Sequence, residues 1–102
     1  MEKLSLQRDP NKITLTGLFK NFILVKELNN LSSESIEYYK TCFKFLSGYI
    51  DPETLCSEIT ENTVLGYIHF LKSNKNINDV TINTRLRGLR ALLYYGMEQG
   101  HI

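Results

Sequence analysis

Four runs of apolar residues at helical spacing, each opening behind a side chain that can cap a helix, constrain this chain more than any other feature. Thr14 precedes Leu15, Leu18, Phe19, Phe22 and Val25. Ser32 precedes Ile36, Tyr39, Phe43, Leu46 and Ile50, and Tyr38, Cys42 and Phe45 widen that face toward a second neighbour. Thr60 opens the third run, Val64, Tyr67, Ile68 and Leu71, with Ile59 and Val64 at the spacing of a hydrophobic staple. Asn78 opens the fourth and longest, Ile82, Leu86, Leu89 and Leu93, which closes near Gln99 before Gly100. Asp51-Pro52 ends the second run, because proline disfavours helical geometry in the residue before it. No stretch of six or more residues alternates as a strand would, and the connectors are short. The sequence therefore predicts an all-α fold, a compact bundle of four main helices over residues 14–102. Residues 1–13, polar and aperiodic around Pro10, are expected to be a flexible N-terminal tail. Lys26 lies near the apolar stripe in the last turn of the first helix, where it either snorkels or frays the helix.

A length of 102 residues suits one small domain. Hydrophobic residues make up 42 % of the chain, enough for a core, and no apolar run reaches membrane-spanning or signal-peptide form. A cytoplasmic location is the expectation. The two cysteines, Cys42 and Cys56, lack close spacing and read as reduced thiols on packed faces. Neither His69 nor His101 has a neighbour of metal-ligand type, so no metal and no cofactor is expected. Phosphate-cradling glycine loops and the nucleophile and metalloprotease signatures are absent too, which leaves no catalytic residue to name. His69 reads as a surface histidine, and each of the pairs Tyr38–Tyr39 and Tyr94–Tyr95 sends one ring inward and one away.

Net charge is only +1, so composition does not announce a polyanionic partner; distribution says more. Between Phe45 and Leu71 there is no Lys or Arg, while Asp51, Glu53, Glu58 and Glu61 are acidic; Arg85, Arg87 and Arg90 then fall within six residues. With about 100° per residue, Asn83, Arg87, Arg90 and Tyr94 share one flank of the fourth helix. Arg85 takes the opposite shoulder, and Thr81 and Thr84 sit in the first two turns. Arg90, nearest the apolar edge, is expected to be the most structural of the three arginines. Arginine can fork onto guanine, asparagine onto adenine, and hydroxyls onto phosphate, so this flank has the chemistry of a major-groove reader. Three arginines on a long helix are also an ordinary solvated face. The second helix repeats the pattern more weakly: Ser33, Lys40 and Lys44 form a polar stripe, Ser35 can close the first turn, and such lysines supply affinity rather than sequence choice.

The order of these motifs resembles the N-terminal core-binding domain of tyrosine recombinases of the phage-integrase family, a SAM-like helical domain. Residues 15–22 (LTGLFKNF) are similar to its opening helix, and residues 31–46 (LSSESIEYYKTCFKFL) to its second. Residues 59–71 (ITENTVLGYIHFL) are similar to its short third segment. Residues 80–102 (VTINTRLRGLRALLYYGMEQGHI) resemble its fourth helix, with a Leu-x-x-Leu-Arg run, an aromatic pair and a closing Gly-x-Ile. The similarity spans residues 14–102. Each motif is commonplace; four in the right order are specific.

The resemblance implies half of a C-shaped clamp on a recombination half-site, with helices two and four against the major groove of double-stranded DNA. It also implies a catalytic domain in the same full-length protein, which would follow this one. The family's His-x-x-Arg box is missing, since His69 is followed by Phe70, Leu71 and Lys72, and residues 100–102 stand where its interdomain linker would begin. Carried over by position, the DNA-binding candidates are Ser33, Ser35, Lys40 and Lys44 on helix two, and Thr81, Asn83, Thr84, Arg85, Arg87 and Arg90 on helix four. Glu34 and Glu37 depart from the pattern and weaken phosphate attraction at helix two. The isolated domain is expected to be a monomer that assembles only on DNA, away from membranes. A helical protein-interaction module, suggested by the acidic residues 51–61, is the main alternative. A stand-alone helix-turn-helix regulator is disfavoured by the missing short turn and dimer seam.

Overall fold

The computed structural model describes residues 12–102, and four helices carry the chain: α1 Leu15–Leu28, α2 Ser33–Ser47, α3 Glu61–Ser73 and α4 Asp79–Glu98. Each begins at the expected cap. The Thr14, Ser32, Thr60 and Asn78 side chains accept hydrogen bonds from the amides of Gly17, Ser35, Thr63 and Thr81, which would otherwise lack partners at a helix start. Thr60 and Thr63 form a reciprocal capping box.

Two helix ends close in the same way. Asn30, at φ 60°, and Gly100, at φ 79°, take the left-handed conformation just past α1 and α4. The Leu31 amide then donates to the Lys26 carbonyl, and the His101 amide to that of Gly96, the wrapped bond of a Schellman ending. Helix α1 does not fray: Lys26 holds its ammonium 5.2 Å from the centre of the Phe22 ring.

The core has two lobes joined by Phe43 and Ile50. One centres on α1 (Leu15, Leu18, Phe22, Ile23) with Ile36, Cys56 and Leu92; the other gathers Leu46, Tyr67, Leu71, Ile82 and Leu89. Phe19 stacks on Phe43 at 4.2 Å, tying α1 to α2. Tyr67 is 1 % exposed, yet its hydroxyl has no hydrogen-bond partner among the described residues. Both cysteines are free and buried, and burial pushes each thiol pKa up.

Two expectations need correction, and one connector holds an element that the sequence does not announce. The expected tail, residues 1–13, lies outside the described residues except for its last two, and Ile13 is a core residue at 3 % exposure. Its carbonyl accepts from the Cys56 amide, and Thr14 and Leu55 form an isolated bridge, so the packed unit starts one residue early. Val25 is 37 % exposed, and Ile23 takes the buried place in the lobe that holds Ile36 and Leu92. The connector before α3 contains a 3₁₀ turn, Cys56–Glu58, anchored by the fully buried Cys56. No such turn is readable from a three-residue pattern.

The acidic connector has a structural task. The Leu15 and Thr16 amides at the start of α1 donate to the carbonyls of Thr54 and Pro52, and the Thr16 hydroxyl lies 3.2 Å from the Glu53 carboxylate. Carbonyls and a carboxylate at a helix N-terminus oppose the positive end of its dipole.

Candidate nucleic-acid interface

Helices α2 and α4 share the most extensive helix–helix contact in the bundle. Along α2, Ser35, Tyr38, Cys42 and Phe45 recur at spacings of three and four and form one stripe. That stripe meets α4 around Gly88. A methyl group there would come within 2.5 Å of the Cys42 sulfur and 2.7 Å of its Cβ, so the backbones approach closely only because the residue is glycine. Just before it, the Thr84 carbonyl accepts from the Tyr38 hydroxyl at 2.7 Å and from the Cys42 thiol at 3.8 Å. Burial, with Cys42 adding to it, pushes the Tyr38 pKa up to about 12 and keeps the hydroxyl a donor.

Charge collects on both sides of this crossing. Arg85 lays its guanidinium over the Phe45 ring, 3.6 Å from the centroid. It lines an open groove with Lys44, Gly48, Phe70, Asn74 and Ile77. Arg87 is exposed and close enough to Tyr38 to favour its ionised form, an effect that burial outweighs. Asn83, about one turn before Arg87, and Arg90, about one turn after it, are exposed on the same helix. Thr81 and Thr84 are half-buried: the Thr81 amide is spent on the Asn78 cap, and the Thr84 hydroxyl donates to the Val80 carbonyl. Ser35 accepts a hydrogen bond from Ser32 in the first turn of α2.

Two sequence candidates lie elsewhere. Ser33 and Lys40 line a groove between α1 and α2 with Glu27, Asn30 and Glu37. The Lys40 ammonium pairs with Glu37 at 3.6 Å. In this groove carboxylates outnumber the ammonium, so it attracts a polyanion less than the α2–α4 crossing does. The expectation for Arg90 is also reversed. It is exposed, whereas Arg85 is the arginine held by packing, because Phe45 projects from α2 onto its shoulder of α4.

Sequence reasoning underrated two residues here. Phe45 was expected to widen an apolar face and is instead 40 % exposed beneath Arg85. Tyr38, expected to widen the same face toward a second neighbour, does so and also fastens α2 to α4 by a hydrogen bond the sequence does not announce. A usable signal existed for the crossing itself: a glycine inside an apolar helical stripe marks close backbone approach.

His69 is exposed and hydrogen-bonded to Ser73. Among the described residues there is no group of three or more metal-ligating side chains, and no helix is long and apolar enough to cross a membrane. The fold is an all-α, SAM-like bundle without strands among the described residues. The family model of the phage integrase SAM-like domain matches residues 14–102, and the chain belongs to that family. No curated protein and no solved structure gives a significant match. Membership points to an integrase-type role in recombination.

Proposed function

We propose that this domain grips double-stranded DNA at a recombination half-site, as the N-terminal clamp of a tyrosine recombinase. In this reading it contributes hold and alignment, and a catalytic domain of the same protein breaks and rejoins the strands. The observation that carries the reading is the pair Arg85 and Arg87, set on either side of the α2–α4 crossing in a chain of the integrase family. Lys44 and Arg90 extend the cationic surface, and Asn83 with Thr81 adds amide and hydroxyl groups that can face base edges or phosphates. Ser35 and Thr84 serve the seam's geometry as well as its polarity. Ser33 and Lys40 are the weakest members of the set. The domain works as a monomer until DNA assembles it, in the cytoplasm where the DNA lies.

Few cations are available, so binding is weak and sensitive to salt. Fluorescence anisotropy with a labelled mixed-sequence duplex at low salt tests this. The double variant Arg85→Ala/Arg87→Ala is expected to bind about tenfold more weakly, with a lower salt slope. Unchanged affinity and slope would remove these arginines from the interface.

A further inference from the structure

The contact between Arg85 and Phe45 is not what burial alone would produce. Phe45 is 40 % exposed, joins neither core lobe, and makes no ring-on-ring contact among the described residues. The buried part of the ring is stabilised wherever it packs, and that burial does not by itself select a guanidinium as its neighbour. Among the described residues the Phe45 ring has one cation contact, the Arg85 guanidinium, whose central carbon sits 3.6 Å from the ring centre. At that distance the two planar groups are in face contact, the arrangement in which a guanidinium is attracted to an aromatic quadrupole.

Stacking fixes the face of a guanidinium and leaves its edge free. All five N–H groups point outward in the guanidinium plane, so a ring beneath that plane removes none of them. Arg85 also makes no ion pair or side-chain hydrogen bond among the described residues. Its donors are thus oriented, and unused among the described residues. Arg87 and Arg90, exposed and unstacked, keep their rotamer freedom. A long side chain loses entropy when it is held against a base, and a side chain already held loses less. A planar fork fits the paired acceptors on the guanine edge, whereas a freely moving cation fits the phosphate backbone.

We infer that Phe45 is a positioning residue that holds Arg85 ready to read a guanine edge, so that Arg85, rather than Arg87 or Arg90, sets the domain's base preference. The inference rests on the DNA-binding reading above and goes beyond it by dividing the arginines into one reader and two backbone contacts.

The test uses a duplex pool with a randomised core as its probe. Pool affinity comes from anisotropy, and base preference from sequencing the bound fraction. The wild-type chain should enrich guanine at one fixed position. Phe45→Leu keeps an apolar side chain but no ring; it should lower that enrichment about two- to fivefold while changing pool affinity by less than about twofold. Phe45→Tyr retains the face and should match wild type, which keeps the test decisive if the leucine variant folds poorly. Arg85→Lys should abolish the guanine preference with the salt slope intact, and Arg87→Ala should weaken pool binding with the preference intact. In the free protein, the Arg85 Nε–Hε resonance should shift in Phe45→Leu and stay in Phe45→Tyr. Undiminished enrichment in Phe45→Leu, or a guanine preference that survives Arg85→Ala, overturns the inference. Binding by the wild type without any base preference overturns it too, while sparing the DNA-binding reading. Absence of pool binding at low salt overturns that reading itself.

Discussion

The two sides of α2 are built on opposite terms. Toward α4, the stripe Ser35, Tyr38, Cys42 and Phe45 meets a glycine, a shared carbonyl and a stacked arginine. Toward α1, the flank carrying Ser33, Glu37 and Lys40 borders an open groove, where an exposed ion pair is the main polar contact. Both flanks carry cations. On the α4 side the scaffold positions one cationic head, that of Arg85; on the α1 side the local carboxylate consumes one. The difference teaches that the number of basic residues on a helix is a poor guide to an interface, and that fixing and pairing decide which charges remain usable.

The largest expected effect comes from closing the tight approach. Gly88→Ala should gain helix propensity of about 1 kcal/mol, yet destabilise the domain by about 1–3 kcal/mol. Its methyl group meets the Cβ of Cys42, which cannot swing away without the backbone. Chemical denaturation gives the sign directly: a stabilised variant would mean that α2 and α4 are not locked at this point.

A smaller effect is expected from Tyr38→Phe. Losing the hydrogen bond to Thr84 should cost about 1 kcal/mol, and the cost should depend on pH. Burial raises the Tyr38 pKa from 10.0 to about 12, so the folded state holds the phenolic proton more tightly than the unfolded chain. This contribution is complete below pH 10 and is lost as pH climbs toward 12, and the phenylalanine variant should lack that loss. Melting temperatures of both proteins across that window should converge as pH rises.

Lys40→Ala should do least. An exposed pair such as Lys40–Glu37 contributes about 0–1 kcal/mol, so stability should barely move. Duplex affinity should fall less than about twofold, against about tenfold for the Arg85/Arg87 pair. A Lys40 effect equal to that of the arginines would erase the distinction between the two flanks.

The helices were legible because their signals are local. The four caps lie within three residues of the amides they satisfy, and the apolar stripes repeat every turn. Ile13 escaped notice because its burial depends on a backbone bond to Cys56, forty-three residues away, and nothing around it is periodic. The candidate site was legible in composition and not in arrangement. A helical wheel separates Arg85 from Arg87 on α4, but it cannot say that Phe45 of another helix lies under one and Tyr38 beside the other. Nor does it show that Ser33 and Lys40 turn toward the acidic groove at α1, since that depends on how α2 is rotated in the bundle. Family resemblance supplied the candidate list; packing between helices sorts it.

Amide chemical shifts followed by NMR during titration with duplex DNA test the central claim most directly. The account predicts salt-sensitive changes concentrated at residues 35–45 of α2 and residues 81–90 of α4, with residues 27–33 and the acidic connector at 51–61 nearly still. Changes centred on those latter segments, or none at low salt, would contradict it.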